Sequence, residues 1–600
     1  MDSAYYEEDR HDGLSSRKAL GRLLPLLAPY KKWLGICFLL LAASKAIYLI
    51  GPNLIRQAID VDMSGGDYQG LLGTVGLYIL VQGMFLIFNY IFRIRMEMIG
   101  QQAMTRLRKQ LFDHIVKMAV SFFDRNPVGR LMARVESDTE AIRMLFTNTV
   151  VTMIGSVLLI AGMFVWMFVI SPRLAAVVAV FIPGILVMLY LYHRITTPRW
   201  LIIRKRMADI TAALTEFLQG MQIIQIFNRM REVRRRMYKV NYRKYRTELT
   251  AELYVVAMFN AIFFMETVII ALVLYVGARW SGAGNLSIGT LVMFISYIRM
   301  FMEPVHMAAE EIAVLQKAVA GAKRVFGLLD TGEMIHEPTR PVSWPRLDSG
   351  ITFDNVSFSY TNDDNYALRD VSFTIPKGKR FALAGVTGGG KSTVINLLLR
   401  YYDIQKGRIL VDGIDIRDIT KEELRAKFGL VLQDIYLFPG NVATNVSLSA
   451  NGFDPKRVVD ACRTVSADRF IERMPDQYET ELSERGANLS RGERQLLSFA
   501  RALVAEPEVL ILDEATSSVD PETERLIQEG MEKLMQGRTS IIIAHRLSTI
   551  LNVDRILVVR DGEIIERGTH GELAAQGGYY SKLCKLQFAP PNGMGVKKAC

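Results

Sequence analysis

The stretch RFALAGVTGGGKSTVINLLLR, residues 380–400, sets the reading of everything around it. Arg380 to Ala384 is a short apolar run of strand character, and the segment from Ser392 to Arg400 has helical spacing. Between them Gly385-Val386-Thr387-Gly388-Gly389-Gly390-Lys391-Ser392 fits G-x-x-x-x-G-K-[ST] in the strand–loop–helix setting that the pattern requires. Glycines let successive backbone N–H groups curl around an anion, and the helix N-terminus adds partial positive charge. Lys391 then reaches the β- and γ-phosphates of a nucleoside triphosphate, and Ser392 ligates Mg²⁺. The nucleotide-binding candidates here are Gly385, Thr387, Gly388, Gly389, Gly390, Lys391, Ser392 and Thr393.

A second element supports the first. Val509-Leu510-Ile511-Leu512 is an apolar strand ending in two carboxylates, Asp513 and Glu514. Beside a phosphate loop, Asp513 is placed to hold Mg²⁺ through water, and Glu514 to act as general base on the attacking water. Further β-rich runs (351–358, 408–410, 429–432, 540–544 and 555–559) alternate with helical segments. The region from Gly350 therefore reads as an α/β domain with a parallel core sheet and an added antiparallel part.

The sequence upstream is of another kind. The chain has 600 residues, too many for one core, and half are hydrophobic. Apolar windows at 33–51, 71–92, 150–170, 174–192, 253–277 and 288–302 each approach the roughly 20 residues needed to cross a bilayer. The last is the weakest, because Arg299 interrupts it and Glu303-Pro304 follow. The two long loops between spans are rich in Arg and Lys, including Arg204-Lys205-Arg206 and Arg234-Arg235-Arg236, whereas the loop after the first span carries Asp60, Asp62 and Asp67. The positive-inside rule puts those long loops and both termini in the cytoplasm. It also explains the net charge of +11 without nucleic acid as a partner, since the basic residues flank apolar spans. The long loops show helical spacing, as at Leu107, Leu111, Ile115 and Met118, and read as cytoplasmic extensions of the spans. Residues 18–30 form an amphipathic elbow that Pro25 and Pro29 keep from being a straight helix. Cys37, Cys462, Cys584 and Cys600 show no C-x-x-C spacing and are expected reduced. The acidic N-terminus has no signal-peptide character.

With these motifs together, the chain resembles the ATP-binding cassette (ABC) exporters, in the half-transporter group that includes bacterial multidrug exporters and the lipid A flippase. The resemblance runs from the elbow to about Phe588. It implies a membrane all-α domain of six spans over residues 1–330, a linker at 331–349, a cytoplasmic α/β P-loop ATPase cassette at 350–588 and a disordered tail at 589–600. By the same resemblance Tyr360 stacks on adenine, and Gln433 senses Mg²⁺ and the membrane domain. Ser490 and Gly492 belong to a signature loop, Leu489 to Gln495, that contacts the γ-phosphate held by the other subunit. Ser517 to Asp520 is similar to the D-loop, and His545 to the switch histidine. Two positions depart from the commonest signature: Arg491 replaces a glycine and Glu493 a glutamine. An added acid near a triphosphate is mildly unfavourable unless Arg491 or Arg494 offsets it. Gly389 stands in place of a serine, which loosens the phosphate loop.

The run Phe122 to Leu131 is similar to the family's first intracellular loop, and Glu216 to Phe227 to its second; short helices near these loops dock on cassettes. The implied cycle closes two cassettes around two ATP molecules, and takes about 5.5 kcal/mol of differential binding to move a two-state protein from 1:99 to 99:1. The function implied is ATP-driven export or flipping of a hydrophobic or amphipathic cargo, a drug-like compound or a lipid, at the inner membrane. The cofactors are ATP and Mg²⁺, and the partners a second half-transporter (a copy or a sister subunit), the bilayer and the cargo. The contrasting reading is an ATP-gated channel or regulator in which hydrolysis acts as a timer. Within the spans, Glu266 and Lys45 either pair structurally, with each other or with Arg299, or touch a polar part of the cargo. Methionines such as Met153, Met163 and Met265 suit an adaptable cavity wall, though packing alone also explains them.

Overall fold

The computed structural model describes residues 15–281, 286–344, 346–361, 363–448, 454–513, 521–543 and 550–587. The chain divides into two compact units, residues 1–117 with 126–331, and residues 118–125 with 332–600.

The first unit is helical. Ser15 caps α1 (Ser16–Leu27) by accepting from the Lys18 N–H. α1 runs through Pro25 and is broken only by a 3₁₀ turn at Ala28–Tyr30, which carries Pro29; the elbow is thus one helix with a single joint rather than a segment interrupted twice. α2 (Lys31–Gln57) and α3 (Tyr68–Val116) follow, then α4 (Val120–Arg125), α5 (Val128–Ala133), α6 (Thr139–Met144) and α7 (Val150–Ile170). The window expected at 174–192 is divided: α8 (Pro172–Ala179) ends in a turn at Val180–Phe181, and α9 (Ile182–Gln219) restarts with Pro183 in its first turn, where a missing N–H costs nothing. α10 (Met221–Ile226), α11 (Met230–Ser281) and α12 (Ile288–Asp330) complete the unit. Among the described residues six helical stretches are long and apolar enough to cross a membrane.

The sixth stretch explains its own polarity. Its window is 56% buried against helical neighbours, whereas the other five are 11–22% buried. A helix enclosed by protein needs less apolar surface than one facing lipid. Met293, Phe294, Tyr297 and Ile298 are its buried face, packed with Leu159, Met163, Ile262 and Ile269. The Tyr297 hydroxyl donates to the Leu49 carbonyl at 2.8 Å, satisfying a polar group that burial would otherwise strand. Below the spans Arg324 clamps Asp138 with two hydrogen bonds of 2.9 and 2.6 Å, and the Cβ that Gly321 lacks would lie 3.1 Å from the Asp138 carbonyl. Arg22 and Asp330 likewise tie α1 to the end of α12.

The second unit carries the sheets. In chain order the strands are β1 (Gly350–Phe358), β2 (Leu368–Pro376), β3 (Arg380–Ala384), β4 (Lys406–Val411), β5 (Ile414–Asp415), β6 (Phe428–Val431), β7 (Gly440–Asn441), β8 (Glu481–Leu482), β9 (Val509–Asp513), β10 (Thr539–Ile543), β11 (Arg555–Arg560) and β12 (Glu563–Gly568). The central sheet has the order β12-β11-β3-β10-β9-β6, parallel from β11 to β6, and a separate antiparallel sheet has the order β2-β1-β4-β5. Burial of β3, β9 and β10 on both faces accounts for their unbroken apolar runs. Cys37 and Cys462 are free and buried.

Candidate active site

The phosphate loop leaves the carboxyl end of β3 and enters α13 (Lys391–Leu398). Gly385 has φ +151°, and a Cβ there would lie 2.1 Å from the Val559 carbonyl oxygen, so only glycine fits. Gly389 does not leave the loop slack, as the sequence suggested. It is buried, its N–H donates to the Val386 carbonyl, and its own carbonyl accepts from the Gly562 N–H. A serine Cβ at 389 would meet the Val559 oxygen at 3.0 Å.

Lys391 curls back over this loop. It is 6% exposed, and its Nζ donates to the carbonyls of Gly385 and Val386, both at 2.9 Å. Burial pulls its ammonium below the usual lysine range, and the charge of Asp513 partly offsets that pull. Thr387 and Gly388 lie exposed at the loop's tip, and Ser392 is exposed at the start of α13. Thr393 turns the other way: it is buried, and its Oγ1 accepts from the Tyr360 hydroxyl at 3.2 Å.

Strand order brings the remaining candidates to the same edge. Asp513 ends β9, and Gln433 follows two residues after β6, the strand beside β9. The phosphate loop, Gln433 and Asp513 thus share the carboxyl edge of one parallel sheet, where ligands of such sheets collect. The Ser392 hydroxyl, Gln433 amide oxygen and Asp513 carboxylate are all oxygen donors, the set that a hard divalent cation takes. Glu514, His545 and the segment Ser517–Asp520 lie outside the described residues.

Tyr360 is 44% exposed, with its ring edge-on to Phe358 and Tyr402 at centroid distances of 4.8 and 5.0 Å. Its hydroxyl is fixed by Thr393 and by the Asn396 side-chain amide at 3.3 Å, so one face is held ready for a flat partner.

The signature segment caps α14 (Arg491–Val504). Glu493 does not point an uncompensated charge outward; it closes a capping box. The Ser490 N–H donates to its carboxylate at 2.8 Å, and the Glu493 N–H donates to the Ser490 hydroxyl at 3.2 Å. The acid thereby serves the helix N-terminus, where negative charge is favourable. Ser490 is exposed and Gly492 is buried in the first turn.

The docking expected of the loop that holds Phe122 to Leu131 involves a cassette residue that no motif marks. The short helix α4 groups with the sheets rather than with the spanning helices. Its Phe122 is buried, the Ala119 N–H donates to the Glu333 carbonyl at 2.9 Å, and Arg125 pairs with the Glu333 carboxylate at 2.5 Å. Tyr402 donates its hydroxyl to Asp124. Burial, and then that hydrogen bond, push the Tyr402 phenol above its ordinary pKa. Tyr402 follows α13 with no motif around it; only the aromatic pair Tyr401-Tyr402 hinted at it. In the spans, no ion pair joins Glu266 to Lys45 or Arg299 among the described residues; Lys45 instead shares a cavity with Glu303.

A phosphate loop at the carboxyl edge of a parallel sheet, on one chain with six stretches able to cross a bilayer, defines a membrane-bound nucleotide-triphosphate hydrolase. Residues 34–305 match the model of the ABC transporter transmembrane region and residues 368–517 that of the ABC transporter. The chain is 33% identical over 583 residues to an ATP-dependent lipid A-core flippase of Syntrophus aciditrophicus, covering 96% of each. It is 37% identical over 529 residues to a probable multidrug resistance ABC transporter ATP-binding/permease protein of Bacillus subtilis, covering 87% of this chain and 78% of that one. Among solved structures, a bacterial Atm1-family ABC exporter with ATP bound superposes with a TM-score of 0.76 at 26% identity, covering 94% of this chain and 99% of that one. The chain belongs to the ABC exporters of the half-transporter type: a multi-pass membrane protein whose cassette binds ATP and whose ATP hydrolysis is coupled to transport.

Proposed function

We propose that this exporter moves a hydrophobic or amphipathic cargo, a lipid or a drug-like compound, out of the cytoplasmic leaflet, working as a dimer that hydrolyses ATP at the interface between two cassettes. The observation that carries the reading is the common edge shared by the phosphate loop, Gln433 and Asp513. In this reading residues 1–330 form the membrane domain, 331–349 a linker, 350–588 the cassette and 589–600 a tail, with both termini and the cassette in the cytoplasm of an inner-membrane protein. Relatives bearing lipid and multidrug names support the cargo class.

Tyr360 stacks on adenine; Lys391 and the loop N–H groups hold the phosphates. Ser392, Gln433 and Asp513 would hold Mg²⁺, which neutralises charge on the β- and γ-phosphates. Glu514 accepts a proton from the attacking water, His545 contacts the γ-phosphate, and Asp520 faces the partner subunit. Ser490 and Gly492 complete the partner's site, with the capped N-terminus of α14 directed at the γ-phosphate. Loss of that phosphate removes the attraction between cassettes and resets the spans. The dimer draws support from α10, which has no buried residue and leaves Ile223, Ile226 and Phe227 63–77% exposed on a short cytoplasmic helix, as expected of a surface that docks on a second copy.

Glu514→Gln in the purified chain, reconstituted in vesicles, tests the chemistry. ATP binding persists and turnover falls by two orders of magnitude or more, about 3 kcal/mol of barrier. Undiminished hydrolysis refutes Glu514 as the base, and a purified chain that is monomeric and inactive on its own points to a sister subunit.

A further inference from the structure

Two cavities adjoin among the spanning helices of the first unit, and they differ in character. One, of about 580 Å³, is lined by Lys45, Arg93, Glu97, Glu303 and Glu311 among other residues of α2, α3, α7 and α12. The other, of about 430 Å³, is walled by Ile160, Phe164, Ile185, Leu189, Phe301 and their apolar neighbours. They share Thr152, Ser156, Pro304, Met307 and Glu311, so Glu311 stands where the polar compartment meets the apolar one.

The charges in the polar compartment are not equally available. Glu97 is bonded to Arg143, which also holds Glu140. Lys45 and Glu303 carry opposite charges and line the same cavity. Arg93 is exposed rather than enclosed. Glu311 is different: it is half-buried, and its Oε2 is enclosed with no hydrogen-bond partner among the described residues. An enclosed carboxylate oxygen without a donor is costly, and a ligand that brings a donor or a positive charge recovers that cost.

Position agrees with this. Glu311 lies nine residues beyond Met302, where the sixth apolar window of the sequence ends, about 14 Å farther along the same helix, which continues to Asp330. The apolar cavity extends from it toward the spans.

We propose that Glu311 is the headgroup determinant of a cargo site for cationic amphiphiles, with an ammonium group at Glu311 and the hydrocarbon body in the cavity of Phe164, Ile185 and Phe301. The inference rests on the exporter reading above and narrows its cargo to one sign of charge.

The test uses the full-length chain in phosphatidylcholine nanodiscs and three probes of equal chain length: decyltrimethylammonium, decyl sulfate and decyl maltoside, each below the concentration that dissolves the bilayer. The readout is the half-maximal concentration for stimulating ATP hydrolysis. The ammonium probe acts at about tenfold lower concentration than the sulfate, the effect of one charge-assisted contact. Glu311→Gln abolishes that preference while the maltoside response persists, and Glu311→Asp retains it. The inference is overturned, with the exporter reading intact, if the sulfate acts as well as the ammonium or if Glu311→Gln keeps the preference. A wild-type chain that responds to no amphiphile overturns both. The wild-type preference decides the sign of the cargo even if Glu311→Gln fails to fold.

Discussion

Tyr402 of the cassette donates a hydrogen bond to Asp124 of α4, while its ring meets the ring of Tyr360 edge-on at 5.0 Å. Tyr360 in turn is anchored to Thr393 on the helix that opens from the phosphate loop. A single aromatic side chain therefore touches both the proposed adenine platform and the short helix that enters the cassette from the loop between the second and third spans. Tyr402 is thereby placed to hold Tyr360 and α4 in register with one another.

Tyr402→Phe keeps the ring and removes the hydrogen bond. Hydrogen bonds to a charged group contribute about 1.5–3 kcal/mol when buried; this one is solvent-accessible, and about 1 kcal/mol is expected. ATP affinity stays within about twofold, an effect under 0.5 kcal/mol, whereas cargo moved per ATP consumed falls. Measurements of nucleotide binding and of transport stoichiometry on the same preparation separate the two. Equal loss in both would place Tyr402 in nucleotide binding instead.

Gly385→Ala puts a methyl group 2.1 Å from a backbone oxygen at φ +151°, so the loop must move. ATP binding is expected to weaken by about a hundredfold or more, roughly 3 kcal/mol, with the rest of the cassette folded. Calorimetric titration with ATP, alongside far-ultraviolet circular dichroism, checks both halves of the statement.

Glu493 offers a graded test of the capping box. Glu493→Gln keeps an acceptor for the Ser490 N–H and retains near-native stability and turnover. Glu493→Ala removes it, at a cost of about 0.5–2 kcal/mol, and frees Ser490 from its fixed orientation. ATPase rates ordered wild type, Gln, Ala support the cap as the reason for the acid; a faster Ala variant would show that the charge itself opposes the triphosphate.

Asp412 gives the fold a defined acid sensitivity. Burial alone would raise its pKa, but the N–H groups of Gly350, Asp348 and Ser349 and the Ser349 hydroxyl all donate to it and bring it down to about 2. A carboxylate depressed below its unfolded value stabilises the fold above that value, and the contribution is lost as pH falls from about 4 to about 2. Allowing for partial exposure, Asp412→Asn is expected to cost about 1–2 kcal/mol near neutrality and little at pH 2. Denaturation midpoints of the two proteins across that range should converge at the acid end.

What the residues alone determined is local and repetitive. The glycine spacing of 385–390, the apolar run ending at Asp513 and the windows of about 20 apolar residues are each dictated by a backbone or solvent requirement that acts within one segment, which is why strand β3, the phosphate loop and the spans were legible in order. Tertiary structure decided what depends on a distant partner. It placed Gln433 beside Asp513 through the pairing of β6 with β9, and turned Glu493 back onto Ser490. It excused the polarity of the sixth stretch by burying it, attached α4 to the cassette through Tyr402, and left Glu311 without a donor at the meeting of two cavities. Such features turn on which side chains are brought within a few ångströms of each other, and sequence spacing records contacts only along one helix or strand.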